Sequence, residues 1–110
     1  MAYARGEIVL LPFPFTDLRA QKTRPAVIVS LPEFEREIDD VTVALVTSQP
    51  RSGPFDCAVR DWRAAGLLAP SWVRARLATL STSLVRFAPG KLARRDLAAV
   101  EGVLRSALGL

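Results

Sequence analysis

The residues best suited to chemistry gather near the start of the chain, in PFPFTDLRAQKTRPAVIVS from Pro12 to Ser30. Two apolar runs enclose a long linker there, although a tight hairpin needs only about two or three residues. The polar side chains of the linker include Thr16, Asp17, Lys22, Thr23 and Arg24. The following proline restricts Arg24 to extended backbone, so we expect Arg24 at a junction between loop and strand. The linker predicts either a phosphate-binding loop or a solvated basic loop.

Further polar groups lie where later strands are expected to end or to face solvent. Thr47, Ser48 and Gln49 follow an apolar run, and hydroxyls in such a place either donate to a phosphate oxygen or cap a turn. Arg74, Arg76 and Thr79 alternate with apolar residues, which predicts that they share one basic face of a strand. The two arginines either line the same groove or form the solvent side of that strand.

Composition limits the kind of chemistry. Of the 110 residues, 50% are hydrophobic and 24% are charged, which predicts a single globular domain over residues 1–110. The net charge is +4, and all but Lys22 and Lys91 among the 15 cationic residues are arginine. Arginine suits phosphate recognition, although such a charge is also ordinary for solubility. Trp62 and Trp72 are expected in a core or subunit interface, with base stacking as the alternative.

The chain has no histidine and one cysteine, which excludes a histidine base, a histidine-paired nucleophile and a disulfide within the chain. We expect Cys57 to be a buried thiol, and we expect no metal or other cofactor. The N-terminus lacks the pattern of a signal peptide, and no apolar run approaches the roughly 20 residues of a membrane span. The expected location is therefore the cytoplasm.

Apolar periodicity predicts mainly strands, followed by a helix. Pro32–Asp40 is expected to be a loop, with one helical turn as the alternative, and Asp96 is expected to be the N-cap of a C-terminal helix. An apolar stripe on that helix contains Leu97, Val100, Leu104 and Leu108. Strands are expected at Glu7–Phe13, Pro25–Ser30, Val41–Ser48, Phe55–Arg60, Ser71–Leu80 and Leu84–Phe87. The fold class that follows is mainly β with a C-terminal helix, packed as a small curled antiparallel barrel or sandwich.

Four segments in this order, RGEIVLLPFPFTDL, KTRPAVIVS, VALVTSQ and DWRAAGLLAPSWVRARLATLSTSLV, resemble the MazF/PemK family of toxins from toxin–antitoxin modules. The resemblance runs from Arg5 to the C-terminal helix. It implies an SH3-like barrel of the CcdB/MazF type that forms a homodimer. It also implies a metal-independent endoribonuclease that cuts single-stranded RNA and leaves a 2′,3′-cyclic phosphate and a 5′-hydroxyl. The expected protein partner is a cognate antitoxin that lays an extended acidic segment over the same groove.

The resemblance carries the catalytic roles of the family to Arg24 and Thr47, and it sets Arg74 and Arg76 beside the RNA path. Ala75 departs from the family pattern, in which a polar or acidic residue is common. The other expected RNA contacts are Thr16, Lys22, Thr23, Ser48 and Gln49. Two alternatives remain open: a non-catalytic, CcdB-like inhibitor of DNA gyrase, and a nucleic-acid-binding module without turnover.

Overall fold

The computed structural model describes residues 2–12 and 22–110. The elements are β1 (Glu7–Pro12), β2 (Thr23–Ile28), α1 (Pro32–Ile38), β3 (Asp40–Thr47), β4 (Asp56–Val59), β5 (Ser71–Ser81), a short 3-10 helix (Thr82–Leu84), β6 (Phe87–Lys91) and α2 (Arg94–Leu108). Within the described residues, the six strands form one sheet in the order β4-β5-β3-β2-β1-β6, and every neighbouring pair is antiparallel. The sheet curls into a half-barrel that carries the C-terminal helix, so the predicted fold class is confirmed.

Both faces of the central strands are buried. On the face that we call the helix face, side chains such as Ile8, Val27 and Val73 pack with Val100 of α2. On the opposite face, the neighbouring side chains of the same strands form a second cluster, which includes Val9, Leu11, Ile28 and Val43. Because successive side chains of a strand point to opposite faces, two buried faces require an almost unbroken apolar run. The prediction that PAVIVS is buried on both faces is confirmed.

β2 begins two residues earlier than the sequence predicted. Thr23 and Arg24 pair with Pro12 and Leu11 of β1, so Arg24 lies inside a strand and not at a junction between loop and strand. The expectation was wrong because the extended backbone that Pro25 imposes on Arg24 is also the backbone of a strand. Phe13, the last residue predicted for the first strand, lies outside the described residues.

The strand predicted at Leu84–Phe87 is also wrong. A 3-10 helix occupies Thr82–Leu84, and β6 runs over Phe87–Lys91. Pro89 and Gly90, which follow the predicted strand, both lie within β6. β6 is at the edge of the sheet, where a proline removes no hydrogen bond from a ladder on its open side.

Pro32–Asp40, predicted as a loop, contains the two-turn helix α1. Proline at the start of the helix and the acidic Glu33 and Glu35 in its first turn all favour an N-terminus. The Glu35 carboxylate also accepts a hydrogen bond from the backbone N–H of Tyr3, at 2.7 Å. No residue of α1 is buried, so the segment lacks the apolar periodicity from which helices are predicted.

The C-terminal helix exists, but its predicted N-cap is wrong. Ala93 is the N-cap, and Asp96 is a buried residue of the first turn of α2. Its carboxylate accepts hydrogen bonds from another segment, as described below, and not from its own helix. Of the predicted apolar stripe, Val100 is buried, Leu97 and Leu104 pack against the helix-face core, and Leu108 is exposed.

Two glycines allow the segment between β4 and β5 to pass close to β6. Gly66 has a φ of +83°, a conformation that favours glycine. A Cβ added to Gly66 would lie 2.8 Å from the Pro89 carbonyl oxygen, and one added to Gly90 would lie 2.5 Å from that of Ala65. Backbone therefore approaches backbone at this point, with no room for a side chain.

We expect Gly90→Ala to lower the free energy of unfolding by about 1–3 kcal/mol, because a new methyl group would force the two backbones apart. Gly102→Ala, on α2, is the matched control, since an added Cβ there meets nothing within 4 Å. It should stabilise the protein by up to about 1 kcal/mol through helix propensity. Urea unfolding of both variants measures the difference, and equal midpoints would contradict the close approach.

Candidate functional site

The candidate site begins where β2 and β3 separate. These strands pair at only three positions, and Ala26 opposite Leu45 is the last of them towards the start of β2. Pro25 comes next and has no N–H to donate to a ladder. Two residues beyond the last pair lie Arg24 on β2 and Thr47 on β3, so the same register would set them opposite each other on one face. We call this point the fork.

A groove of about 700 Å³ opens at the fork. Its described lining contains neither aspartate nor glutamate. It contains four arginines, which are Arg24, Arg51, Arg74 and Arg76. Several of its other lining residues are hydroxyl or amide side chains at the end of β3. The groove therefore presents cations and neutral hydrogen-bonding groups together, which is the chemistry that binds a phosphate.

Most of the residues predicted from the sequence lie in this groove. Those that line it are Thr23, Arg24, Thr47, Ser48, Gln49, Arg74 and Arg76. Lys22 is exposed immediately before β2 but is not part of the lining. Thr16 and Asp17 lie outside the described residues. Arg51 was not predicted, although its position two residues after Gln49 could have indicated it.

The hydroxyl of Thr47 is oriented by its own turn. Its oxygen accepts a hydrogen bond from the backbone N–H of Gln49 at 3.1 Å. The side-chain oxygen of Gln49 in turn accepts one from the guanidinium of Arg51, at 3.0 Å. Because the Thr47 oxygen acts as an acceptor in this turn, the hydroxyl keeps its proton to donate elsewhere.

Arg74 is held by a nearly buried carboxylate. Its Nε donates to Asp56 Oδ1 at 2.9 Å, and the Asp56 side chain is only 7% exposed. The other carboxylate oxygen accepts the backbone N–H of Gly53 at 3.1 Å. Asp56 thus joins β5 to the loop that carries Arg51, and the remaining guanidinium donors of Arg74 are left for other acceptors.

The predicted basic face of β5 is present, with one correction. Strand alternation sets Trp72, Arg74 and Arg76 on one face of β5 and Val73 on the other. Thr79, which was grouped with the arginines, pairs with Thr42 and falls on the same face as Val73.

The groove also has an apolar side, which the sequence did not indicate. It is formed by residues of the segment between β4 and β5 together with Leu10, Phe87 and Pro89. Within that segment Leu68 is 98% exposed, and Phe87 on β6 is 60% exposed. Neighbouring large apolar side chains with this exposure to water are typical of ligand-binding or interaction surfaces.

Comparison with known proteins identifies the family. The sequence model of the PemK-like, MazF-like toxins of type II toxin–antitoxin systems matches residues 4–108. The chain belongs to this family. No curated protein sequence matches it.

Solved structures of the family share the fold at low sequence identity. An endoribonuclease in complex with its cognate antitoxin, from a mycobacterial species, has a TM-score of 0.81 at 24% identity, over 99% of this chain and 97% of that one. MazF from Deinococcus radiodurans has a TM-score of 0.77 at 23% identity, over 100% and 99%. The toxin MazF-mt6 of Mycobacterium tuberculosis has a TM-score of 0.77 at 22% identity, over 94% and 97%.

In this family member, α2 anchors the segment that forms the apolar side of the groove. The buried carboxylate of Asp96 accepts the backbone N–H groups of Arg60 and Asp61, each at 2.9 Å. Arg95 donates two hydrogen bonds to the Asp61 carboxylate, both at 2.8 Å. These hydrogen bonds from Arg95 hold the pKa of Asp61 below its ordinary value of 3.8.

Trp62 and Cys57 pack against the helix-face core. Trp62 thus lies where the core interpretation predicted, and the guanidinium of Arg63 stacks 4.8 Å from its ring centroid. Cys57 is only half-buried, and this burial raises the pKa of its thiol. Nowhere in residues 2–12 and 22–110 do three or more histidine, cysteine, aspartate or glutamate side chains gather as a metal site would require. No helix within those ranges combines the length and hydropathy of a membrane span.

We expect Arg95→Met to raise the pKa of Asp61 towards 3.8, because the charged form loses its hydrogen-bond donor. In the wild type the folded-state pKa is the lower one, so the pairing stabilises the fold above pH 3.8 and this contribution disappears as pH falls through the folded pKa. The stability difference between wild type and variant should therefore shrink on acidification below 3.8. NMR titration of Asp61 and urea unfolding across this range measure both effects, and an unchanged pKa in the variant would contradict the assignment.

Proposed function

We propose that this protein is the toxin of a type II toxin–antitoxin module, acting as a metal-independent endoribonuclease on single-stranded RNA in the cytoplasm. One observation carries the proposal. The register of β2 and β3, continued past its last pair, sets Arg24 opposite Thr47, and both line a groove with four arginines and no carboxylate among its described lining residues. The family supplies the activity class, since its members include proteins described as endoribonucleases.

The chemistry that suits this site is internal cleavage by the RNA itself. The 2′-oxygen bonds to the adjacent phosphorus as the bond from phosphorus to the 5′-oxygen breaks, which leaves a 2′,3′-cyclic phosphate and a 5′-hydroxyl. The 2′-hydroxyl loses a proton and the departing 5′-oxygen gains one. Neither a protein nucleophile nor a metal is needed, provided that the phosphate is held in line and its growing charge is stabilised.

Arg24 and Thr47 supply that stabilisation in the proposed mechanism. The guanidinium of Arg24 offers parallel donors and a fixed positive charge to two phosphate oxygens. Because an arginine side chain stays charged in proteins, Arg24 acts as a stabiliser of charge and not as a base. The Thr47 hydroxyl, which already accepts a hydrogen bond from the backbone N–H of Gln49, donates a hydrogen bond to a phosphate oxygen. Arg74 and Arg76 neutralise neighbouring phosphates along the strand.

We expect Arg24→Ala to lower the cleavage rate by roughly a few hundredfold or more, the effect of losing one preorganised donor to a developing negative charge. Thr47→Val should cost roughly 100-fold on the same argument, whereas Thr47→Ser should retain most activity because it keeps the hydroxyl. The assay is incubation with a long single-stranded RNA in EDTA, followed by analysis of fragment ends for cyclic phosphate.

Arg36→Ala is the matched control, because Arg36 is an exposed arginine on α1 and lies outside the groove. It should cleave at the wild-type rate. Intact RNA with the wild type would remove the nuclease proposal, and the next assays would be gyrase inhibition and RNA binding. Equal cleavage rates for wild type and Arg24→Ala would support the nuclease activity but contradict a catalytic role for Arg24.

We propose further that the toxin forms a homodimer and that a cognate antitoxin covers the groove with an acidic extended segment. Exposed apolar side chains on both helices, such as Ile38 and Leu108, support self-association. Among the described residues the groove lining has no carboxylate, which suits an acidic peptide. Sedimentation equilibrium at micromolar concentration should show a dimer. A monomer throughout that range would contradict the first part of this proposal.

A further inference from the structure

Part of the apolar side of the groove is a row of residues across the sheet. Leu10 pairs with Pro25 on one side and with Phe87 on the other, so these three residues form one row across β2, β1 and β6. Directly opposed residues of antiparallel strands project to the same face. Because Ile8 packs in the helix-face core, strand alternation sets the whole row on the helix face.

Arg24 and Thr47 lie on the other face of the sheet. Thr47 adjoins Val46, which packs in the helix-face core, so alternation turns Thr47 away from that face. Arg24 pairs with Leu11, a residue of the opposite cluster. The fork thus has an apolar row on one side of the sheet and the Arg24–Thr47 pair on the other, about one residue step apart along each strand.

A nucleotide has this same division between an anionic phosphate and a largely apolar base with a π face. Phe87 and Leu68 line the groove yet remain 60% and 98% exposed, so the core does not use them. With four arginines and no carboxylate in the described lining, an anionic chain is the occupant whose charge complements the groove. Aromatic side chains beside such cations are the usual platform for the bases of single strands.

We propose that Phe87 and Leu68 form a base-binding shelf that holds one unstacked nucleobase while the adjoining phosphate lies at Arg24 and Thr47. This inference rests on the proposed function and names the subsite that restricts the substrate to single strands. A base within a duplex is stacked on its neighbours and cannot reach the shelf. The nucleotide next to the cleaved bond therefore inserts its base between Phe87 on β6 and Leu68 on the facing segment.

The test measures binding separately from cleavage. The probe is a fluorescein-labelled single strand of mixed sequence with 2′-O-methyl groups on every ribose, which cannot be cleaved through the 2′-oxygen. Phe87→Ala should bind it between about 5-fold and 150-fold more weakly, the range for loss of one base–aromatic stack. Leu68→Ala should weaken binding in the same direction, and Phe87→Tyr should restore it.

Phe55→Ala is the matched control, since Phe55 is another exposed phenylalanine, 47% accessible, and does not line the groove. It should bind as the wild type does. The salt dependence of binding should be unchanged in Phe87→Ala, because no phosphate contact is lost. A strand of the same length made of abasic sites should bind the wild type weakly and should not distinguish it from Phe87→Ala.

Wild-type affinity for the base-containing strand in both Phe87→Ala and Leu68→Ala would overturn the shelf, even where the wild type cleaves RNA and the proposed function stands. If the wild type binds RNA in a base-dependent way but does not cleave it, the proposed nuclease activity is contradicted and the base-binding shelf is supported. If Phe87→Ala fails to fold by circular dichroism, Leu68→Ala decides. A variant that sediments as a smaller species with unchanged RNA affinity would assign the patch to a contact between copies and overturn the proposal.

Discussion

The site depends on one constraint, the end of the hydrogen-bonded ladder between β2 and β3. In a continuous ladder, opposed side chains are about 5 Å apart and contact each other. Beyond Ala26 and Leu45, Pro25 cannot donate to a ladder, and the strands are free to diverge. The same register then sets Arg24 and Thr47 at facing positions, and both line the groove that opens there. The missing N–H of Pro25 thus ends the ladder at the point where the groove opens.

The groove needs a second wall, and the structure builds it from a segment that is neither helix nor strand and is held by turn hydrogen bonds. Asp96 on α2 holds the start of this segment through two backbone N–H groups. Farther along, Gly66 and Gly90 bring its backbone against β6. Because the Asp96 carboxylate is buried and the two glycines are tightly packed, the backbone that bears the exposed Leu68 is fixed on both sides. The exposed groove residues are therefore supported by contacts that have no direct part in binding.

Sequence reasoning predicted the features that depend on local periodicity. The strands that are buried on both faces and the apolar stripe of α2 were foreseen because aliphatic runs and helical spacing have no other common use. The helix α1 escaped because it buries nothing, and Asp96 was misassigned because its hydrogen-bond partners lie 35 and 36 residues away. The facing positions of Arg24 and Thr47 follow from strand register, which the sequence does not reveal. The family resemblance indicates both residues as catalytic but says nothing of how they are placed relative to each other. It does not indicate Phe87 or Leu68.

The arginines of the groove repel one another, and the way they are held bears on binding. Arg74 is tied to the nearly buried Asp56, and Arg51 is tied to the neutral side chain of Gln49. One cation is therefore partly compensated while the other keeps its full charge towards the groove. Both guanidinium groups are already oriented before any anion arrives, so less side-chain entropy is lost when it binds. Preorganised donors of this kind stabilise developing charge most effectively when they need not move during the reaction. Asp56 and Gln49 therefore contribute to phosphate binding by fixing the positions of donors that they do not themselves supply.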